Sequence, residues 1–163
     1  MMNDQANSLS ETNNRVRDSS SVSDAEYQEV QEFHSKFDIR PALKPTLLGA
    51  EVLEFRKKFM QEELDEFIEA TKHHDLVGAF DALLDLVWVA KGTADMMGIS
   101  ADQWTEGWEE VVRANMSKRR ATSAAESKRG SALDIVKPVG WVGPEEVLRL
   151  ILTEIRFADR SHN

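Results

Sequence analysis

The stretch Ala82–Ala90, which reads ALLDLVWVA, decides the fold, because it is an apolar helical run with one carboxylate, Asp85, in its middle. A lone charge in such a run is costly to bury unless something neutralises it. A divalent cation would do so, and the glutamates of the earlier stretch EELDE at 62–66 would complete its shell of oxygen ligands. The pattern therefore predicts a metal site inside a helix bundle, with Asp85 facing inward.

Helical spacing of apolar residues continues along most of the chain, and no alternating pattern typical of a strand is present. We expect four main helices at about 24–37, 48–72, 76–97 and 101–119, and a short C-terminal helix at 144–152. Residues 121–131 are small, polar and basic and indicate a mobile loop, and 132–142 should be extended or irregular. The predicted fold class is all-α, a helix bundle.

Domain organisation follows from composition. Residues 1–23 are rich in serine and asparagine and poor in large apolar side chains, so we expect a disordered tail. Residues 24–156 should form a single helical domain, and 157–163 a flexible C-terminus.

Charge and composition exclude several classes of protein. The 163-residue chain has a formal net charge of −9, which argues against binding to a nucleic acid polymer or an anionic membrane. It contains no cysteine, no signal-peptide pattern and no apolar run approaching the ~18 residues of a membrane span. A cytoplasmic protein is expected.

The spacing of the acids predicts that they meet. Glu63 and Glu66 lie one helical turn apart, as do Asp81 and Asp85, and His73-His74 is a plausible turn midway between the two pairs. In an antiparallel hairpin the pairs therefore come level, about 14 Å from the turn at the rise of an α-helix.

Two other interpretations compete with the metal site. EELDE alone is typical of a solvated helix face, and Asp81 near a helix start can stabilise the helix dipole. Among metals, oxygen ligands without Cys or His favour Mg²⁺ or Mn²⁺. A di-iron bundle would need Glu-x-x-His pairs, and no histidine of this chain follows a glutamate at that spacing.

The combination of motifs resembles the MazG-like all-α nucleoside triphosphate pyrophosphohydrolases, and most of all their short phage-type branch. The resemblance runs from Phe33 to Leu152. One position departs from the family pattern, because Ala82 stands where the family has a glutamate, and Asp81 is its candidate replacement. The motifs that carry the resemblance are Phe33-His34, Arg56, the Glu62 cluster, Asp81–Asp85, Gly92–Ala94, Gly98-Ile99 and Asn115–Lys118.

The resemblance implies a metal-dependent hydrolysis. A (deoxy)nucleoside triphosphate, with a preference for dGTP, would be cleaved between its α and β phosphates to a monophosphate and pyrophosphate, with Mg²⁺ or Mn²⁺ as cofactor. Glu63, Glu66 and Asp85 are implied metal ligands, followed by Asp81. Glu62 would bind a further ion or orient the water.

Six further residues are candidates for substrate binding. Two share a face of the fourth helix and would contact phosphate or sugar, one would reach the polyphosphate from the second helix, and three would stack on the base. Their structural alternatives are a basic helix end, a surface ion pair and core packing. The six residues are, in that order, Asn115 and Lys118, Arg56, and His34, Phe37 and Trp88.

Large apolar side chains on more than one face of the second and third helices predict a homodimer or homotetramer. Two non-enzymatic functions stay open from the sequence. One is an acidic helical binding module that sequesters a nucleotide or a basic partner without chemistry, and the other is a structural oligomer with solvated acids.

Overall fold

The structure, a computed structural model, describes residues 25–153. The predicted tails at 1–23 and 157–163 lie outside these residues, and the single domain predicted for 24–156 stays a prediction. The described part is mostly helical, with only a two-stranded sheet besides, which confirms the all-α fold class. Its elements are α1 (Ala25–Lys36), α2 (Ala50–Lys72), α3 (Leu76–Met96), α4 (Ala101–Met116), β1 (Arg119–Arg120), a 3-10 turn (Ala124–Glu126), β2 (Ile135–Val136) and α5 (Glu145–Thr153).

The antiparallel pair of α2 and α3 is the most extensive contact between elements of the described chain. Its turn falls at His73 and His74, as the sequence predicts, and His74 adopts a left-handed backbone conformation with φ 55°. Asp75 then caps α3, because its side chain accepts hydrogen bonds from the backbone N–H groups of Val77 at 3.1 Å and Gly78 at 3.0 Å. This turn sets the register of the acids on the two helices.

Helix α1 packs on the C-terminal half of α3. Tyr27 and Val30 of α1 are fully buried, and the Tyr27 hydroxyl donates to the carbonyl of Ile99 at 2.7 Å. Polar side chains complete the contact, because the ammonium of Lys91 on α3, itself buried, donates to Glu26 on α1 at 2.5 Å. Burial raises the pKa of the Tyr27 hydroxyl, which therefore stays protonated and acts as a donor.

The loop after α1 is held against the end of α3. Met97 is the C-cap of α3, and Gly98 follows with φ +78°, as expected of a C′ residue. The backbone N–H groups of Ala42 and Thr46 donate to the carbonyls of Met96 and Met97. A Cβ atom on Gly98 would lie only 2.6 Å from the Ala42 carbonyl oxygen, so the close approach requires glycine.

Helix α4 is shorter than predicted. It begins after Ser100, whose side chain forms a capping box with Gln103, and it ends at Met116 rather than near Arg119. The prediction that Lys118 lies on this helix is therefore wrong. The chain turns away at Ser117, whose hydroxyl donates to the Ala114 carbonyl at 2.9 Å, and the indole N–H of Trp141 donates to the same carbonyl at 2.8 Å.

Residues 117–142 form what we call the basic arm. Its two short strands pair antiparallel, Arg119 with Val136 and Arg120 with Ile135. No strand was predicted in this region, so the two short strands are a difference from the prediction. The predicted mobile loop at 121–131 contains the 3-10 turn. None of the helices within residues 25–153 is long and apolar enough to cross a membrane.

Candidate active site

The five acids singled out from the sequence lie on the facing helices α2 and α3. Burial raises the pKa of the Glu63 carboxyl, and the negative charges of the other four raise it further. Each of those four therefore lies near enough to act on Glu63 electrostatically. The four, in decreasing order of their effect, are Asp85, Glu66, Glu62 and Asp81.

We call the five carboxylates of Glu62, Glu63, Glu66, Asp81 and Asp85 the acid face. Glu63 is the one among them whose negative charge is least favourable. One of its oxygens, Oε2, is buried and has no hydrogen-bond partner among the described residues. An ionised oxygen in that position, surrounded by like charges, is costly unless a proton or a cation compensates it. The sequence pointed to Asp85 as the group in need of compensation, whereas the structure points to Glu63.

The prediction that Asp85 faces inward is wrong for the single chain, in which its side chain is exposed. The physical reason is visible on the same helix. Leu84, Val87 and Trp88, which would have to be covered for Asp85 to be buried, are themselves exposed. One side of the apolar run Ala82–Ala90 thus stays open in the described chain, whereas Ala82 and Val89 on its other side are buried.

A divalent cation is chemically compatible with this face, although no ion cage is formed. Among the described residues, no three acidic or histidine side chains are gathered closely enough to hold a metal ion. The available donors are hard carboxylate oxygens, which suit Mg²⁺ or Mn²⁺, and the unpaired oxygen of Glu63 is a group that a cation would satisfy. Along α2, an open depression of about 540 Å³ is lined in part by Glu62, Glu66 and Lys58.

Arg56 lies on α2 but is hydrogen-bonded to α3. Its Nε donates to the Thr93 hydroxyl at 3.0 Å, and its Nη2 donates to the Val89 carbonyl at 2.7 Å. Burial lowers the pKa of the guanidinium, and the ring of Phe59 lies 5.5 Å from its centre. The surface ion pair considered as an alternative is not what holds Arg56. Its contact with a polyphosphate stays a prediction, which would require some of these bonds to be exchanged.

His34 is buried between α1 and α3. Its Nδ1 lies 2.6 Å from Oδ2 of Asp95, and the other oxygen of Asp95 accepts from the Gln31 amide at 2.9 Å. A Cβ atom on Gly92 would lie 3.2 Å from Nε2 of His34 and 3.0 Å from Nη2 of Arg56, so the absence of a side chain at Gly92 makes room for both. Sequence reasoning missed Asp95, because its partners are 61 and 64 positions away.

The other two candidate base-stacking residues belong to a partly exposed aromatic cluster. The ring of Phe33 lies 4.7 Å from that of Phe37 and 5.4 Å, edge-on, from that of Trp88. Phe37 and Trp88 are 55% and 38% exposed, so both present ring surface to solvent, whereas His34, whose ring lies 6.2 Å from that of Phe33, is buried. Phe33, which the sequence indicated only as part of a motif, is the ring that contacts both of the others.

Asn115 and Lys118 remain neighbours although α4 ends between them. The Lys118 ammonium donates to Oδ1 of Asn115 at 2.7 Å, and Nδ2 of Asn115 donates to the Val111 carbonyl at 2.8 Å. The ammonium also lies 5.4 Å from the centre of the Trp141 ring. The pair is exposed enough for a ligand to reach it.

The all-α fold and a match to a family model define the chain as an all-α pyrophosphohydrolase of the MazG-like superfamily. It belongs to the phosphoribosyl-ATP pyrophosphohydrolase family, whose sequence model matches residues 30–115, more than half of the chain. Membership makes it a hydrolase of nucleotide-like substrates. No curated protein sequence matches the chain. The matched region ends before Met116, so the basic arm and α5 lie outside it.

Proposed function

We propose that the chain is a Mg²⁺- or Mn²⁺-dependent nucleoside triphosphate pyrophosphohydrolase that releases a monophosphate and pyrophosphate, with dGTP as the favoured substrate. The observation that carries this proposal is the Glu63 carboxylate, which is partly buried, has an oxygen without a partner in the described residues, and is repelled by four other acids. Such an arrangement is unfavourable for a scaffold and suits the binding of cations and a polyphosphate.

The chemistry divides among the acids as follows. When bound, a divalent cation would offset the negative charge of the triphosphate and polarise the attacked phosphorus. Glu63, Glu66 and Asp85, with Asp81, would hold it. Glu62 would orient a water molecule for attack on the α phosphorus and accept its proton. The bond from the α phosphorus to the bridging oxygen breaks, and pyrophosphate leaves with that oxygen.

The nucleoside would lie against the aromatic cluster. Phe37 and Trp88 expose ring faces on which a base can stack, and the edge-on contact of Phe33 with Trp88 holds that ring in place. Because His34 is buried, it would support this surface and would not contact the base itself. Asn115 and Lys118 would bind a phosphate or the sugar. We propose further that the protein assembles as a homodimer or homotetramer. The assignment to the short phage-type branch is part of the same proposal.

A substrate panel tests the proposal. The protein is incubated with each of the four dNTPs and with phosphoribosyl-ATP, in the presence of Mg²⁺ or Mn²⁺, and the products are identified. Pyrophosphate and a monophosphate from dGTP at the highest rate are expected. Orthophosphate as the first product would contradict the assigned reaction. Activity on phosphoribosyl-ATP alone would agree with the assigned reaction and would contradict dGTP as the substrate.

The alternative of a non-catalytic binding module has a distinct outcome in the same assay. It predicts that nucleotide binds and is recovered intact, and that binding survives chelation of divalent cations. A purely structural oligomer predicts that neither nucleotide nor cation raises the melting temperature, whereas a ligand that binds only the folded state must raise it.

A further inference from the structure

The basic arm differs in charge from the rest of the protein. Residues 117–142 contain six basic and two acidic residues, a net charge of +4, in a chain whose overall charge is −9. Residues 61–85, which include the acid face, contain eight acidic residues and one lysine, a net charge of −7. The two segments are therefore electrostatically complementary.

Internal ion pairs neutralise the two acids of the arm and fix its shape. Glu126 accepts hydrogen bonds from both terminal nitrogens of Arg119, at 3.0 and 2.9 Å, and from the backbone N–H of Thr122 at 2.8 Å. Asp134 accepts from Arg129 at 2.7 Å and from the Ser127 hydroxyl at 2.6 Å. These bonds place the remaining cations on a preformed scaffold.

Four cations of the arm, Lys118, Arg120, Lys128 and Lys137, have no acidic partner among the residues that the structure describes, and Lys118 is already bound to Asn115. Arg120 makes a long contact of 3.4 Å with the Ala132 carbonyl, and the Lys137 ammonium lies 4.2 Å from the centre of the Trp141 ring. Lys128 is exposed and forms no ion pair within residues 25–153. The arm thus offers positive charge to a ligand or a partner.

Apolar side chains accompany both charges. On the arm, Leu133 is 77% exposed, and Ile135 and Val139 are exposed as well. On α3, Phe80 is 61% exposed and Leu84, beside Asp85, is exposed. A cationic apolar surface and an anionic apolar surface of this kind can bury each other.

The strands of the arm do not pack on the acid-bearing helices of their own chain, and Glu62, Glu66, Asp81 and Asp85 are exposed. In the described residues, β1 and β2 contact each other, and neither strand nor α4 makes an extensive contact with α2 or α3. The acid face consequently stays open in the single chain, and the complementary surface for it is found on the same polypeptide.

We propose that the basic arm of one copy binds across the acid face of a second copy, where Arg120 and Lys128 supply positive charge to the site. The inference rests on the proposed function and names the partner that completes its site. A triphosphate adds negative charge to five carboxylates, and cations from the second copy would offset part of it. The arrangement is reciprocal in a two-fold dimer, since each copy has one arm and one acid face.

Crosslinking tests the interface independently of activity. Isotope-labelled and unlabelled protein are mixed, allowed to exchange, and treated with a carbodiimide that joins lysine amines to nearby carboxylates. Mixed-isotope links between Lys128 and residues 61–85 are expected, and high salt should reduce them because it screens the attraction. Links confined to one isotope would overturn the proposal, and so would the absence of links at Lys128 when lysines elsewhere react.

Complementation tests the contribution to the site. Glu63→Gln removes an acid, and the double variant Arg120→Glu/Lys128→Glu reverses the arm; each alone should be at least about tenfold less active. In an equimolar exchanged mixture, about a quarter of the sites combine intact acids with an intact arm from the other copy, so activity should return to about that fraction. No recovery, with circular dichroism and size showing folded, exchanging oligomers, would overturn the proposal.

Lys44→Glu is the matched control, because Lys44 is an exposed lysine outside the arm and the site. It should leave the turnover and the crosslinks unchanged. If the wild-type protein hydrolyses no nucleotide, the proposed function fails, and the crosslinks alone then decide whether the arm binds a second copy.

Discussion

The imidazole of His34 and the carboxylate of Asp95 form a buried pair, with Nδ1 and Oδ2 2.6 Å apart and less than a tenth of either side chain exposed. A carboxylate can only accept at that distance, so Nδ1 carries the hydrogen. The pair joins α1 to α3 next to the aromatic cluster, since the ring of His34 lies 6.2 Å from that of Phe33. It therefore links the stability of the bundle to the shape of the surface proposed to bind the base.

Replacing Asp95 tests that link. Asp95→Ala should lower the free energy of unfolding by roughly 3 kcal/mol, because it leaves the buried donors of His34 and Gln31 without an acceptor. Chemical denaturation measures the effect. Glu54→Gln, which removes an exposed pair with Lys57 on α2, should change it by no more than about 0.5 kcal/mol. Equal effects of the two substitutions would show that the buried pair has no special role.

Gly92→Ala should destabilise the protein although alanine is normally the better helix residue by about 1 kcal/mol. The new Cβ would lie 3.0 Å from Nη2 of Arg56 and 3.2 Å from Nε2 of His34, and both side chains are held by hydrogen bonds. Gly107→Ala on α4 is the control. Its Cβ would meet only the flexible end of Leu148 at 3.3 Å, so its melting temperature should be unchanged or higher. A higher melting temperature for Gly92→Ala would contradict the packing described.

Glu63→Gln should abolish turnover and leave the fold intact. In the absence of divalent cations, it should also raise the melting temperature, because it removes one charge from a cluster of five carboxylates. Asp85→Asn should likewise abolish turnover. Pyrophosphate release and thermal unfolding are measured on the same preparations, and near-normal rates in both variants would refute the assignment of the site.

Mg²⁺ or Mn²⁺ should raise the melting temperature of the wild-type protein. At a concentration one hundred times the dissociation constant, the stabilisation is about 2.7 kcal/mol. The rise should be smaller for Glu63→Gln and unchanged for Glu54→Gln, which alters α2 away from the cluster. An equal rise in all three proteins would place the bound cation elsewhere.

The ion pair between Arg119 and Glu126 inside the basic arm should break in a defined range of acidic pH. Hydrogen bonds from Arg119 and from the Thr122 backbone lower the pKa of Glu126 from 4.5 to about 2. A lowered pKa in the folded state means that the pair stabilises the arm fully above the ordinary value, and that this contribution is lost as the pH falls toward about 2. The backbone amide resonance of Thr122 should titrate near that lower value. Glu126→Gln should remove the titration, whereas Glu109→Gln on α4 should not.

The sequence was sufficient for the hairpin and for a register in which four acids influence the charge of Glu63. Helical periodicity and a turn at His73-His74 determine which residues come level, and both are local properties of the chain. The end of α4 was misplaced, because Ser117 and Trp141 stop it through contacts that helical propensity does not reveal. The boundary between the third and fourth helices was predicted to within one residue, since Gly98 and Ser100 act on their immediate neighbours.

There is a physical reason why the exposure of Asp85 could not be predicted from the sequence. An apolar run shows that a helix face will be covered, and it does not show whether the same chain or another one covers it. The importance of Asp95 was hidden for a related reason, since its partners Gln31 and His34 are distant in sequence and only the fold brings them together. Pairwise contacts of this kind leave no periodic signal.

Helix α2, the longest helix among the described residues at 23 residues, has no buried residue in the single chain. It is stabilised there mainly by its contact with α3, and in the proposed oligomer a second copy would add to that stabilisation. If that oligomer forms, dilution should lower the stability of the fold as a denaturant does. In a cell, the amount of chain synthesised would then set the fraction that is folded.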